Sequence, residues 1–253
     1  MLPIFPQKGR SSAHQYRKIT NIEQISPIFP CMKGKKTMYT HLIWDFNGTI
    51  YDDVQAGIDS ANRLLSSHDL PLITSKEHYR SLFGFPIVDY YRRMGFDFEK
   101  TPFADLAVEW LPYYLEESAS STLQNGVKET LEAAKALGVC QLILSAAEIN
   151  MLKDQVDSLG IGEYFDDILG LGDIHARSKE DIALLWKQRH PDARPLFLGD
   201  TVHDAEVAAA IGADCILLTC GHQSRKTLES AKCLFIADTF AEIVERFPSF
   251  FQK

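Results

Sequence analysis

The feature that most constrains the fold is an alternation between short apolar runs of strand length and longer stretches with helical periodicity. The apolar runs are residues 41–46, 139–144, 195–198, 214–218 and 233–236. The helical stretches are residues 126–137, 148–159, 178–189 and 203–211, most of them followed by a glycine that can end a helix. Apolar strands separated by helices are typical of a parallel sheet covered on both faces. The pattern therefore predicts a doubly wound α/β core with a parallel sheet.

The segment between the first two apolar runs interrupts this alternation. Residues 53–120 have helical periodicity and many aromatic side chains, but no strand of the buried type. We interpret the segment as an inserted all-helical cap domain. The predicted domains are a core of residues 38–53 and 121–253 and a cap of residues 54–120. Residues 1–37 lack periodicity, and we interpret them as a disordered leader or the product of a start codon upstream of the true one, rather than as a targeting peptide.

Composition supports a globular chain and limits its partners. Hydrophobic residues make up 45% of the 253 residues and charged residues 24%, which is average for a protein that buries a core. The formal net charge is −8, but residues 1–37 hold seven basic residues and one acidic residue, so the remainder has 19 bases and 33 acids. Because such an acidic body repels nucleic-acid phosphates, we expect no nucleic-acid partner.

Cysteine spacing and hydropathy indicate a compartment. The five cysteines form no CxxC pair and no Cys/His cluster at zinc spacing, and their odd number is typical of reduced thiols. No apolar run approaches the roughly 20 residues of a membrane-spanning helix, and the N-terminus lacks the apolar stretch of a secretory signal. We therefore expect a cytoplasmic protein, a monomer or homodimer, with no membrane partner.

Polar residues lie where the predicted strands end, which is where ligands bind in open parallel sheets. They are Asp45 and Asn47 at the end of the first run, Ser145 after the second and Asp200 after the third. Asp204 lies four residues beyond Asp200, and Lys179 lies at the start of the predicted helix before the third run. A carboxylate nucleophile, a hydroxyl, an ammonium group and further carboxylates together favour phosphoryl transfer. Mg²⁺ would neutralise the repulsion between nucleophile and phosphate, and Asp45 and Asp200 offer the oxygen ligands it prefers. Lys179 and Ser145 would hold the phosphate oxygens.

The order and spacing of these residues resemble the haloacid dehalogenase superfamily. Its first motif, DxDGT followed by an apolar residue, is similar to DFNGTI at residues 45–50, and its fourth, GDxxxD, is similar to residues 199–204. Its second and third motifs, a Ser or Thr that ends a strand and a Lys, resemble Ser145 and Lys179. The helical insertion after the first motif resembles a type-one cap. The subgroup that the chain resembles most is the phosphoglycolate phosphatase-like hydrolases.

The resemblance implies a Mg²⁺-dependent phosphoric monoester hydrolase that acts on a small phosphorylated metabolite, such as phosphoglycolate. Asp45 would be the nucleophile and form an aspartyl-phosphate. Mg²⁺ would bind a carboxylate oxygen of Asp45, the backbone carbonyl oxygen of Asn47 and a carboxylate oxygen of Asp200.

The remaining motif residues would support these steps. By the same resemblance, Ser145 and Lys179 would bind the phosphate, and Thr49 would bind the phosphate or orient its loop. Asp204 would orient Lys179 or a water on the metal. Gly48 would permit the tight turn that exposes the carbonyl oxygen before it.

Position 47 departs from the superfamily pattern. The superfamily's second motif-one Asp protonates the leaving group and then activates water, whereas Asn47 cannot exchange a proton near pH 7. The chain could be a slow or leaving-group-selective phosphatase, a phosphatase whose acid comes from elsewhere, or a degenerate phosphate-binding or regulatory protein with little turnover. His203 and His222 are candidate replacement acids, although we favour ordinary exposed loop histidines.

Other residues have both a functional and a structural interpretation. Asp52 and Asp53 are expected to cap the helix that begins near residue 54. In the cap, residues 83–86 could form a loop that faces the site, and Arg92 and Arg93 could bind a substrate carboxylate or be solvated surface residues.

Two other reaction classes are possible within the superfamily. A dehalogenase would not need the metal pair Asp200 and Asp204, so those acids argue against it. A phosphonate-cleaving enzyme also lacks the second Asp and recruits a cap lysine as a Schiff base, for which Lys76 and Lys100 are the candidates.

Overall fold

A computed structural model describes residues 38–172 and 178–251. Its six strands form one parallel sheet. They are β1 (His41–Trp44), β2 (Cys140–Glu148), β3 (Asp167–Leu171), β4 (Pro195–Gly199), β5 (Asp214–Leu218) and β6 (Phe235–Ala237). The strand order is β3-β2-β1-β4-β5-β6. The predicted α/β fold class is confirmed.

Helices cover both faces of the sheet, and consecutive strand residues alternate between the two layers. Trp44 and Leu198 pack on one side with helices α5, α6, α10 and α11, whereas Ile43 and Phe197 pack on the other with α7, α8 and α9. These helices are α5 (Val127–Ala136), α6 (Ile149–Ser158), α7 (Lys179–Arg189), α8 (Val202–Ala210), α9 (Arg225–Leu228), α10 (Phe240–Val244) and α11 (Phe247–Phe251). Burial on both faces explains why the strands are apolar throughout.

Strand β1 lies where the order of the sheet reverses. It pairs with β2 on one side and with β4 on the other, so that His41 lies opposite both Cys140 and Pro195. Strands β2 and β3 therefore lie on one side of β1 in the sheet, and β4, β5 and β6 lie on the other. A crevice at such a switch point is the usual ligand site of an open α/β sheet.

The structure corrects the predicted strands at two places. Strand β3 was not predicted, because Asp167 and Gly170 break up an already short apolar run. Gly170 is needed there, since a Cβ would come 2.9 Å from the carbonyl oxygen of Ala147. Strand β2 continues past Leu144 to Glu148, although its pairing with β3 is irregular between those two residues.

Residues 54–118, between β1 and α5, form four helices with a hydrophobic cluster of their own. They are α1 (Val54–Ser67), α2 (Lys76–Leu82), α3 (Ile87–Arg93) and α4 (Phe103–Ser118). Helices α1 and α4 pack on each other, and the cluster includes Leu64, Tyr79 and Leu106. We call this helical unit the cap. Its exact domain limits stay a prediction, and the predicted leader lies outside the described residues.

Two further observations concern compartment. Cys215, Cys220 and Cys233 have free thiols, as predicted, whereas Cys140 is disulfide-bonded, so the prediction of reduced thiols is wrong for that residue. No helix in the described ranges is both long and apolar enough to cross a membrane.

Candidate active site

Two of the predicted acids lie side by side at the carboxyl ends of neighbouring strands. Asp45 follows β1 and Asp200 follows β4, and the backbone N–H of Asp45 donates to the carbonyl oxygen of Leu198 at 2.8 Å. Asp45, Asp200 and Asp204 each offer a carboxylate oxygen within 4.8 Å of the others, and all three are buried. The structure thus brings together the acids predicted from the strand ends.

Lys179 supplies the positive charge among these acids. It is the first residue of α7, where the Ser178 side chain caps the helix by accepting from the backbone N–H of Asp181 at 3.1 Å. Its Nζ donates to Asp45 Oδ1 and, at 2.5 Å, to Asp204 Oδ1. We call Asp45, Lys179, Asp200 and Asp204 the acid cluster.

The acid cluster contains three carboxylates and one ammonium group. Burial raises the pKa of Asp45 well above its usual range, and the nearby carboxylates add to this against the opposing effect of Lys179. Burial also raises the pKa of Asp200 to about 6. Burial disfavours the charged form of Lys179, but Asp204 and Asp45 outweigh it and raise its pKa. The cluster therefore has more negative charge than its own lysine can balance.

Asp204 is held as a supporting residue. Its Oδ2 accepts from the backbone N–H and the hydroxyl of Thr201, at 2.9 and 2.6 Å, and from the backbone N–H of Asp200 at 3.2 Å. The bond from the backbone N–H of Thr201, together with the bond that Thr201 Oγ1 accepts from the backbone N–H of Asp204 at 3.3 Å, forms the capping box of α8. Both carboxylate oxygens are thus engaged, one on the helix start and one on Lys179, which fits the predicted role of orienting the lysine.

Asp200 is enclosed by backbone. Its Oδ1 accepts from the Thr49 hydroxyl at 3.1 Å, and its Oδ2 accepts from the backbone N–H of His222 at 2.6 Å. A side chain at Gly48 or Gly221 would overlap this carboxylate, and Gly48 also has φ +77°. The predicted tight turn at Gly48 is therefore present, and Asp200 has a fixed orientation.

These residues fit the predicted metal. Carboxylate oxygens of Asp45 and Asp200 are the hard ligands that Mg²⁺ prefers, and a divalent cation would offset the surplus negative charge. Asp45 Oδ2 has no hydrogen-bond donor among the described contacts, so it is available as a ligand. The predicted contribution of the Asn47 carbonyl oxygen stays a prediction.

The two predicted hydroxyl ligands for phosphate have local partners. Thr49 is fully buried and donates to Asp200, which fits the alternative in which it orients its loop. Ser145 is 2% exposed and lies in β2 at the irregular stretch, where its Oγ accepts from the backbone N–H of Ala147 at 3.1 Å. The hydroxyl proton of Ser145 is therefore still available for a ligand.

The side chain of Asn47 is turned toward the cap. Its Nδ2 donates to Asp53 Oδ2 at 2.8 Å and to the hydroxyl oxygen of Tyr114 at 2.7 Å. Asp53 occupies the N-cap position of α1, but its side chain does not cap the helix. It accepts instead from the backbone N–H of Gly48 at 2.8 Å and from the Tyr114 hydroxyl at 2.7 Å. The prediction that Asp53 caps α1 is therefore wrong.

His222 completes a second buried polar group. Its Nε2 lies 3.2 Å from Asp53 Oδ1, and its Nδ1 lies 2.9 Å from the Tyr79 hydroxyl. Burial alone would lower the pKa of His222, but the carboxylate of Asp53 outweighs it and raises the pKa to about 9. Burial would raise the pKa of Asp53, but His222 and the hydrogen bonds lower it. The interpretation of His222 as an exposed loop histidine is wrong. We call Asn47, Asp53, Tyr79, Tyr114 and His222 the junction cluster.

Sequence reasoning named three members of the junction cluster, Asn47, Asp53 and His222, but did not bring them together. His222 follows β5 at the same sheet edge as Asp45 and Asp200, so the strand-end rule applied to β5 would have placed it near them. Tyr79 and Tyr114 look like ordinary aromatic residues of the cap core, and no spacing sets them apart.

A cavity of about 360 Å³ lies between the cap and the core. Arg93 lines it, together with Phe83, Phe85 and His203, and the rings of Phe85 and His203 stack at 4.7 Å. Arg92 instead pairs with Asp89 on the cap surface. The structure thus separates the two arginines predicted as specificity residues.

Arg80 ties the cap to the core at the edge of this cavity. From α2, its guanidinium donates to the backbone carbonyl oxygens of Thr219, Cys220 and Gly221. These residues form the loop between β5 and His222.

The fold and site define a hydrolase class. The sequence profile of a family described as haloacid dehalogenase-like hydrolase matches residues 42–218. The chain belongs to this family, and the predicted resemblance is confirmed.

Individual relatives agree with this assignment. The chain is 30% identical to phosphoglycolate phosphatase 1 of Pseudomonas aeruginosa over 228 residues, which cover 80% of this chain and 81% of that protein. It is 27% identical to the phosphoglycolate phosphatase of Vibrio vulnificus over 128 residues, 49% of this chain and only 56% of that protein. A haloacid dehalogenase-like family hydrolase from Streptococcus pneumoniae shares the fold, with a TM-score of 0.71, 21% identity, and coverage of 83% of this chain and 99% of that one.

Proposed function

We propose that the protein is a Mg²⁺-dependent phosphatase that hydrolyses a small phosphate monoester through an aspartyl-phosphate on Asp45. The observation that carries this proposal is the acid cluster, in which a buried carboxylate at the end of β1 contacts a lysine and lies beside two further acids. That arrangement suits attack on a phosphorus atom whose negative charge is offset nearby.

Each residue of the acid cluster has a part in the reaction. An oxygen of Asp45 forms a bond to phosphorus as the bond to the ester oxygen breaks, and water then releases phosphate from Asp45. Lys179, which Asp204 holds against Asp45, contacts the phosphate oxygens and stabilises their charge. Mg²⁺ held by Asp45, Asp200 and the carbonyl oxygen of Asn47 supplies the remaining positive charge when it is bound.

Phosphoglycolate is the first substrate to test, because relatives of this chain bear the name phosphoglycolate phosphatase. Arg93 at the cap–core cavity is a candidate for binding a substrate carboxylate. Asn47 cannot protonate a leaving group, and general acid catalysis contributes roughly 10²–10⁴-fold. We therefore expect the protein to hydrolyse acetyl phosphate and p-nitrophenyl phosphate faster than alkyl phosphate esters. The ratio of the two rates should be larger than in enzymes that have an acid at this position.

The test is Mg²⁺-dependent phosphate release from phosphoglycolate, sugar phosphates, acetyl phosphate and p-nitrophenyl phosphate. The wild type should turn over at least one of them, and Asp45→Asn should not. Asp154→Asn, a change of the same chemistry at an exposed position of α6, should behave as wild type. Since Asn-Gly pairs deamidate, the mass of the peptide that contains Asn47 is checked in every active sample. Equal activity of Asp45→Asn and wild type would refute the proposal.

One observation favours a second candidate, a phosphate-binding protein with little turnover. The Asn47 side chain is an amide, which cannot act as a base toward water near pH 7, and both of its N–H groups are used within the junction cluster. In that case phosphate with Mg²⁺ would raise the melting temperature of the wild type, while no compound of the panel would be hydrolysed.

A further inference from the structure

Asp53 is a buried carboxylate beside the catalytic loop that the proposed reaction does not use. It is 2% exposed and accepts hydrogen bonds or an ion pair from four groups. The donors are Gly48 N at 2.8 Å, Asn47 Nδ2 at 2.8 Å, the Tyr114 hydroxyl at 2.7 Å and His222 Nε2 at 3.2 Å. Two of them, Gly48 and Asn47, belong to the loop that carries Asp45, so Asp53 fixes the shape of that loop.

The amide of Asn47 matches its surroundings as a donor. One N–H points to Asp53 Oδ2 and the other to the hydroxyl oxygen of Tyr114. The Tyr114 hydroxyl donates its hydrogen bond to Asp53, so its oxygen can only accept a hydrogen bond from the side chain at position 47. A carboxylate at 47 would have no N–H for either contact and would bring an oxygen to about 2.8 Å from a carboxylate oxygen of Asp53.

We propose that Asp53 is a positioning residue that requires an amide at position 47, so that the two side chains form a matched carboxylate–amide pair. The buried carboxylate beside the catalytic loop sits at position 53 in this chain, and a second one at 47 is compatible with the fold only when Asp53 is neutralised. The inference deepens the proposed function, because it concerns the loop that carries the nucleophile.

The consequence for activity is specific. Asn47→Asp alone restores a group that could transfer a proton. It also places two carboxylates next to each other and removes the two hydrogen bonds that Asn47 donates to Asp53 and Tyr114. It therefore does not raise the rate of hydrolysis. The exchange variant Asn47→Asp/Asp53→Asn keeps one carboxylate and one amide in the pair, with the positions reversed. We expect it to fold and to hold a group that can transfer a proton in the loop that carries Asp45.

The test is a double-mutant cycle of wild type, Asn47→Asp, Asp53→Asn and the exchange variant, with urea unfolding in EDTA as the first readout. We expect each single change to lower the folding equilibrium constant at least tenfold and the exchange variant to recover at least tenfold over Asn47→Asp. Asn150→Asp is the matched control, since Asn150 is exposed and its Nδ2 also donates to a carboxylate, Glu148, at 2.8 Å. It should change the equilibrium constant less than threefold.

Asn47→Leu separates the loss of donors from the added charge. Leucine has a similar volume and no charge, so the matched pair predicts that Asn47→Asp is at least tenfold less stable than Asn47→Leu, or does not fold where Asn47→Leu does. The second readout is phosphate release. The exchange variant should gain at least tenfold over Asn47→Asp on alkyl phosphates and less on p-nitrophenyl phosphate, because only poor leaving groups need a proton.

Independent effects of the two single changes would overturn the inference, as would Asn47→Asp being as stable as wild type, or an exchange variant that does not fold. The unfolding readout does not need turnover. If no variant releases phosphate but the two positions are coupled in unfolding, the matched pair stands and the proposed function fails. If the wild type turns over and the positions are uncoupled, the reverse holds.

Discussion

The acid cluster and the junction cluster lie side by side, and all their members except the partly buried Asn47 are buried, but their charges are arranged differently. The acid cluster places three carboxylates around one ammonium group. The junction cluster has a single carboxylate, Asp53, next to a histidine that is protonated at neutral pH, and its other members are neutral. The first cluster is left with surplus negative charge, whereas the second is balanced.

The pKa values of the acids record this difference. Asp45 and Asp53 are both buried, yet the pKa of Asp45 is raised while that of Asp53 is lowered. Burial opposes ionisation in both cases, so the sign depends on the neighbours. Since a buried charge without a partner is costly, a cluster with surplus charge indicates a ligand site and a balanced cluster indicates a structural joint.

The largest effect should follow from removing the lysine of the acid cluster. Lys179→Met leaves three buried carboxylates without a cation, so we expect the free energy of unfolding to fall by about 3–5 kcal/mol. Phosphate release should fall by roughly 10²–10³-fold. Urea unfolding and the phosphate assay measure the two effects, with Lys153→Met on the exposed side of α6 as control. A stable, active Lys179→Met protein would contradict the assignment of this cluster.

The next effect concerns the balance of the junction cluster and depends on pH. A histidine whose pKa is about 9 when folded and 6.5 when unfolded contributes stability that is fully present below pH 6.5 and is lost as pH rises through 9. The loss is on the order of 3 kcal/mol. The free energy of unfolding of wild type and of His222→Gln is measured with urea, in EDTA, across this pH range. The difference between the two values should fall as the pH rises. Parallel curves would show that His222 is not charged in the folded protein.

Stabilisation by Mg²⁺ should depend on the acid cluster and not on the junction cluster, and it should be slightly smaller than the effect of pH on His222. At about 100 times its dissociation constant, a ligand that binds only the folded state stabilises it by about 2.7 kcal/mol. Asp200→Asn should lose most of this gain, whereas Tyr114→Phe in the junction cluster should keep it. Thermal unfolding with Mg²⁺ or EDTA measures the gain. Equal loss in both variants would mean that the two clusters act as one site.

The smallest effect belongs to a single hydrogen bond of the junction cluster. Tyr114→Phe removes the donor to Asp53 and the acceptor of Asn47, and we expect it to cost about 1–2 kcal/mol of stability. The matched control is Tyr113→Phe, the neighbour in α4, which should change stability by less than about 0.5 kcal/mol. Equal results for the two tyrosines would mean that the junction cluster does not stabilise the cap.

Much of the core could be predicted because its determinants are local. Apolar runs marked five of the six strands, and the strand-end rule placed Asp45 and Asp200 at one edge. Strand β3 was missed since Gly170 serves a close contact with Ala147, and a contact between distant residues leaves no periodicity in sequence.

The junction cluster shows what could not be predicted from the sequence, namely where the Asp53 side chain points. Asp53 occupies an N-cap position, where an acid normally caps, and nothing local reveals that its carboxylate turns toward Asn47 instead. That choice depends on Tyr114, which is 61 residues away, and on His222, which is farther still. Partners that fold together only in the complete structure cannot be identified by local pattern.

The three carbonyl contacts of Arg80 oppose any movement of the cap helix α2. The guanidinium joins the cap to the loop just before His222, whose backbone holds Asp200. Drawing α2 away from this loop has to break the three contacts, at a cost of up to several kcal/mol if each is worth about 0.5–1.5. A ligand that enters only after α2 has moved would therefore bind more weakly, by that amount, than one that fits without the movement.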